Sequence, residues 1–293
     1  MCAPYLPVFL SHLNVDVGAE LAIASVFYNN NTLVAQFFSE DTIEQICKLI
    51  ADQPHSRYMH LLCYLASVPE NRELILKTMV QSKNSERIFF LCADPDSSDY
   101  RNRIEWVKTE AKNEGDAEKL EYNLALLNLL SHCCAGLVLF SEMKVQQMYP
   151  IDWLLAALLD SRLPLKIKNP LLSVYFHAIL DSEVKLARMQ TLEEVFDLFK
   201  EWTSFLQINE WPSDTDMAIV QDYCYMTLCC ALTFFRNYWV AKHQSVAHVE
   251  TCRDFTAALH SNQVLHSLGF DSEVVERKIQ DINDVLNGQI MPA

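Results

Sequence analysis

Glycine is nearly missing from this chain: there are five in 293 residues. Glycine-rich phosphate loops, dinucleotide-binding turns and hairpin-rich β folds need glycine where φ is positive or backbones approach closely, so its scarcity argues against all three. Basic runs are also missing. Lys and Arg together number 23 against 38 Asp and Glu, a formal net charge of −15. That balance argues against nucleic-acid or anionic-membrane binding through a basic face. The acidity itself suits ordinary solubility. No C-x-x-C pair and no H-x-x-x-H spacing occurs. The N-terminus has no basic region leading into a long apolar run, so no signal peptide is expected. The ten cysteines mostly sit among apolar residues and are expected as free, buried thiols in a reducing, cytoplasmic setting.

What the chain does have is apolar sequence, 51% of its residues, arranged mostly at helical spacing. Leu21, Ala24, Ser25 and Tyr28 predict one buried face of a first helix, with Asp16 as its N-cap and Asn29, Asn30 and Asn31 as its break. Ser39 is expected to cap a helix with Glu40 and Asp41 in its first turn and Ile43, Ile46, Cys47 and Ile50 in the core. After Pro54, the segment 55–68 reads as a helix burying Tyr58, Leu61, Leu62 and Leu65. Pro69 suits a first helical position, followed by a stripe of Leu74, Ile75, Thr78 and Met79. Residues 82–99 are irregular. Arg87–Cys92 could be one strand, and 93–99 a loop. Arg101–Asn113 returns to helix, and Gly115 ends it.

The stretch from Leu120 to Asp181 is the centre of the chain. Tyr122–Ser141 carries no charged side chain and has about the length of a membrane span, roughly 20 residues. Asn123, Asn128, Ser131 and His132 interrupt it, and Gly136 is a helix stop. The expectation is a core helix with Leu120, Leu124, Leu127 and Leu130 inward, then a returning helix over 138–148. Pro150 opens a helix with Trp153, Leu154, Ala157 and Leu158 inward. Leu163-Pro164 turns the chain into a helix over 171–180. Thr191–Gln207 is amphipathic, with Leu192, Val195, Phe196, Phe199, Trp202 and Leu206 on one face. Tyr223–Phe235 is uncharged but too short to span a bilayer. Helices over 248–259 and 272–286 close the chain, the last with Val274, Ile279, Ile282 and Leu286 inward.

Breaks recur about every 15–20 residues, the rhythm of armadillo- or HEAT-like arrays. The expected fold is therefore all-α, an armadillo/HEAT-like right-handed helical solenoid. It is read as one elongated domain over 1–293, with possible sub-blocks 1–115 and 116–293 separated by the irregular 82–99 region.

Catalytic and metal chemistry finds little purchase. His132 and Cys133 or Cys134 are adjacent on one helix and cannot face each other as a nucleophile and base. Cys224, Cys229, Cys230, His243, His248 and Cys252 are candidate metal ligands. Only His248 and Cys252 share a helical face, whereas a zinc site needs about four converging ligands. The 93–99 loop lacks the Gly and closing Glu of a calcium-binding loop. No catalytic, cofactor-binding or metal residue is assigned, no cofactor is expected, and an enzyme is not the expected class.

Several segments resemble, in family order, the RIH domain of the intracellular calcium-release channels, nearest the inositol-trisphosphate receptor branch. They are Phe27–Leu33, Ser56–Leu62, Tyr122–Leu126, Ile151-Asp152, Leu163-Pro164, Lys168, His177 and Asp181, and the likeness spans roughly 8–260. The resemblance implies an armadillo-like module on the cytosolic face of the endoplasmic reticulum, linking ligand-binding modules to a tetrameric calcium pore. Its partners would be other domains or subunits of such a channel, without nucleic acid or direct membrane insertion. The family's inositol-phosphate contacts lie before the matched region, so no binding residue carries over, and the pore helices are not expected in this chain. A free-standing adaptor that binds a protein or peptide in a concave groove is the alternative.

Overall fold

The computed structural model describes residues 5–15, 17–27, 32, 34, 38–89, 117–208, 210–213, 215–262, 264–265 and 272–288. The expectations for Asp16, Tyr28, Asn29–Asn31, the 93–99 loop, Arg101–Asn113 and Gly115 fall outside them. The described residues are helical and contain no strand. Contacts divide the chain into two compact units, Met1–Tyr149 and Pro150–Ala293. The helix that begins at Ala117 packs on helices of the first unit.

The first unit contains α1 (Leu6–Ser11), α2 (Ala19–Phe27), α3 (Glu40–Asp52), α4 (Ser56–Ala66), α5 (Pro69–Gln81), the single turn α6 (Ser85–Ile88), α7 (Ala117–Cys134) and α8 (Leu139–Met148). Local sequence explains their ends. Ser39 is extended, and its Oγ accepts the Thr42 N–H at 3.4 Å. Glu40 and Asp41 lie at the positive end of α3. Pro69 opens α5, where its missing N–H costs nothing. Gly136 follows α7 with φ +84°, the left-handed geometry that ends a helix. With the single turn α6 set aside, second-neighbour stacking builds the unit: α2 packs on α4 and α4 on α7, while α3 packs on α5 and α5 on α8. Chain neighbours α4 and α5, and α7 and α8, also pair. This is the contact pattern of an armadillo-like array, in which each helix touches only near neighbours.

α7 is buried almost all round, from Leu120 to Cys134, and this includes Asn123. The uncharged central run is thus a core helix. The strand considered for Arg87–Cys92 does not form over its described part, since Arg87 and Ile88 belong to α6. The face assigned to α2 is also corrected. Ala19, Ile23 and Phe27 are buried, whereas Leu21 is 68% exposed and Ser25 is exposed.

The second unit contains α9 (Ile151–Leu159), α10 (Leu165–Val174), α11 (Glu193–Leu206), α12 (Met217–Asn237), α13 (Val246–Ser261) and α14 (Ser272–Leu286). The same second-neighbour rule holds: α9 on α11, α10 on α12, α11 on α13 and α12 on α14. α10 starts at Leu165, earlier than the predicted Leu171, and accommodates Pro170 inside it. It runs into a π-helical turn, Tyr175–Leu180. Phe199 anchors the core between α11, α12 and α13. Its ring lies edge-on to Trp202, Phe234 and Phe255 at centroid distances of 5.3, 5.4 and 5.0 Å, a favoured arrangement for aromatic quadrupoles. In α14 it is Val275, not Val274, that turns inward.

α12 also corrects an expectation. It has 21 residues rather than the short uncharged run, and by length and composition it is long and apolar enough to cross a membrane. Over half of its apolar window, 56%, is buried within the protein, and it packs on α10 and α14. These are the contacts of a core helix.

Candidate interaction surface

The thiols are poorly suited to nucleophilic chemistry. Burial pushes Cys63 and Cys224 up to about 12. Burial, reinforced by the charge of Glu44, does the same to Cys47. Cys133, Cys134, Cys230 and Cys252 are raised as well, chiefly by burial. A thiolate is the reactive form, so these side chains behave as small apolar residues. His132 is exposed, and its Nδ1 lies 2.7 Å from the Asn128 carbonyl, away from any thiol role.

The metal candidates do not converge. His248 stacks flat on Phe196, with ring centroids 3.7 Å apart, and its Nε2 lies 3.1 Å from Glu193 Oε2. His243 Nδ1 lies 3.4 Å from Gln190 Oε1, while Cys224, Cys230 and Cys252 are buried in the core. Among the described residues no group of three or more His, Cys, Asp or Glu is placed to hold a metal ion.

Polar side chains instead complete the ends of neighbouring helices. The last carbonyls of a helix have no partner of their own. Arg72 Nε donates to the Ala66 carbonyl at 3.0 Å and its Nη1 to the Ala135 carbonyl at 2.7 Å. One guanidinium thereby sits at the negative ends of both α4 and α7. A Cβ on Gly136 would meet Arg72 Nη1 at 2.9 Å, so glycine is needed there for space as well as for φ. Tyr122 Oη donates to the Ile88 carbonyl at 2.8 Å. In the second unit Asn262 Nδ2 donates to the Leu206 carbonyl at 2.7 Å. Tyr238 Oη and Asn237 Nδ2 donate to the Ile179 and Leu180 carbonyls at 3.0 and 3.1 Å, closing the π-helical turn.

Lys168 is buried and paired with Glu201, which ties α10 to α11. Of the other resemblance positions, His177 stacks edge-on against Phe176, and Asp181 ends the π turn, its N–H donating to the Phe176 carbonyl at 2.8 Å. The clamps were not legible in the sequence. Each joins a common polar residue to a carbonyl that only the fold brings near. Taken together, these side chains hold neighbouring helices in register.

Residues 2–90 match the family model of the RIH domain. The match spans α1 to α6 of the first unit. A relative among curated proteins is the inositol 1,4,5-trisphosphate receptor itr-1 of Caenorhabditis elegans, 22% identical over 198 residues. The alignment covers 60% of this chain and 7% of that receptor. The chain thus spans a small part of the relative's length. The resemblance to the RIH domain of the calcium-release channels is supported by both comparisons.

Proposed function

We propose that this chain is a non-catalytic, cytosolic RIH-type helical segment of an intracellular calcium-release channel, lying on the cytosolic face of the endoplasmic reticulum. Its role is to couple ligand-binding modules to other parts of the channel. The observation that carries the reading is the RIH match over 2–90, which falls on a unit built by second-neighbour stacking. Stacked helices pass displacement to their neighbours as packed bodies. The side-chain clamps at the helix ends resist slippage within each unit. Its partners are other domains or subunits of the same channel. No catalytic, cofactor or metal residue is assigned to it.

The chain is sparse in Lys and Arg, 23 in all, and phosphate recognition favours clustered Arg and Lys. Titration calorimetry with inositol 1,4,5-trisphosphate is expected to show no heat beyond dilution. Binding in the micromolar range overturns the assignment to the coupling part of such a channel. The channel context is tested by the full transcript. A reading frame running on into a hydrophobic multi-span region supports it, and a stop codon with no such region refutes it.

A further inference from the structure

We propose that the outer face of α1 and α2, with the cleft between α2 and α4, is a docking site for an amphipathic helix of a partner protein. That helix carries an apolar stripe and a Lys or Arg set against Glu20. The inference does not depend on the channel reading.

The first observation is an exposed apolar cluster. Tyr5, Val8, Val15, Val17 and Leu21 are 48% to 68% exposed, and all lie in or beside α1 and α2, which pack on each other. Scattered exposed apolar residues are ordinary, but clustered ones mark interaction surfaces. The second is the composition of α2, AELAIASVF. Glu20 is its one charged residue, and it is half-buried. A helix at a protein surface normally turns charge outward, whereas one apolar all round sits between two neighbours. α2 packs on α1 and α4 and still turns Leu21 and Ser25 to solvent.

Geometry selects the occupant. α2 stacks on α4, and α4 on α7, so the outer face of α2 is where a further helix continues the row. The cleft, of about 290 Å³ and lined by Leu21, Ala24, Ser25 and Tyr64, is below the usual size of a small-molecule pocket. It suits side chains projecting from a helix laid along it. Glu20 supplies the charge preference. Its Oε2 has no hydrogen-bond partner, so a cation set against this carboxylate forms an ion pair without breaking an existing bond of that oxygen. Glu20 stands one turn from Ala24 on the same side of α2. Residues 1–27 contain no Lys or Arg, and the net charge is −15. An anionic lipid surface is thus disfavoured as the occupant.

The test uses the full chain and a fluorescein-labelled synthetic helical peptide with leucines at i, i+3, i+4 and i+7 and one lysine. Fluorescence anisotropy is expected to show saturable binding. Leu21→Asp weakens it at least about tenfold, and Glu20→Lys does the same. A peptide with Glu in place of its lysine restores binding to Glu20→Lys. Val274→Asp, at an exposed apolar residue of α14, leaves binding unchanged. Circular dichroism and thermal unfolding establish that each variant is folded. The proposal is overturned by no saturation up to the millimolar range, by a Leu21→Asp chain that binds as wild type, or by failure of the charge swap. It is equally overturned if sedimentation shows a dimer that Leu21→Asp dissociates, or if phosphatidylcholine vesicles capture the chain through Leu21.

Discussion

At Gly136 two demands meet in one residue. Its φ of +84° suits a helix stop, and the space where a side chain would begin is held by the Arg72 guanidinium. Gly136→Ala should therefore cost about 1–2 kcal/mol from the left-handed backbone alone, and more if Arg72 is displaced from Ala135. Urea unfolding of the variant measures this, and an unchanged midpoint would refute it. The thiols make a second prediction. Cys47, Cys63 and Cys224 are raised from 9.0 to about 12 in the folded chain. Their contribution to stability is fully present below about pH 9 and is lost as pH rises towards 12, because the unfolded state releases these protons first. Urea midpoints should fall steadily from pH 9 upward. Alanine at all three positions should flatten that slope, and a slope unaffected by the substitutions would count against buried thiols as its source.

At the scale of single helices, sequence legibility depended on contrast between faces. α3 and α11 alternate apolar stripes with Glu, Asp and Lys, so their inward residues could be read directly: Ile43, Ile46 and Ile50 in one, Val195, Phe199 and Trp202 in the other. α2 lacks that contrast. Leu21 and Ala24 form as apolar a stripe as Ile23 and Phe27, and periodicity gives the spacing of a face without saying which way it points. Substitution separates the two stripes. Ile23→Ala should destabilise by about 2–5 kcal/mol, whereas Leu21→Ala should stay within about 0.5 kcal/mol. Thermal unfolding of the pair checks this, and comparable losses would restore the sequence-based face. α12 was underestimated for another reason. The uncharged run Tyr223–Phe235 is only part of the helix: Asp222, just before it, lies exposed within α12, and Asp216 is the residue that caps it, accepting the Ala218 N–H at 3.0 Å. The π-helical turn after α10 left no mark in the sequence, because its Leu180 carbonyl is satisfied by Asn237 from far along the chain.

At the scale of the whole molecule, helical class was legible in the sequence. The irregular 82–99 region looked like a boundary because its composition changes there. The contacts divide at Tyr149 and Pro150, since α7 returns to pack on α4 and α5. Each unit has its own buried core, Tyr58, Leu62 and Tyr122 in one and Phe199, Phe234 and Phe255 in the other. A chain segment with its own core can fold alone. Residues 150–293 expressed separately should therefore give a helical circular dichroism spectrum and a cooperative thermal transition, and a random-coil spectrum would rule this out. The unassigned site follows from the same architecture. The polar residues with the most specific surroundings, Arg72, Lys168, Tyr238 and Asn262, are occupied in joining helices.

Those joints also impose an order on biosynthesis. Tyr122 is separated by 34 residues from the helix end it completes, Asn262 by 56 and Asn237 by 57. As the chain leaves the ribosome from its N-terminus, α6, α11 and the π-helical turn keep open C-terminal carbonyls until those later residues emerge. Domains generally form N-terminal first at about 5–20 residues per second, so each such end waits some seconds for its partner. The nascent chain acquires its register in steps, each set by a residue that has not yet been made when the helix it finishes first appears.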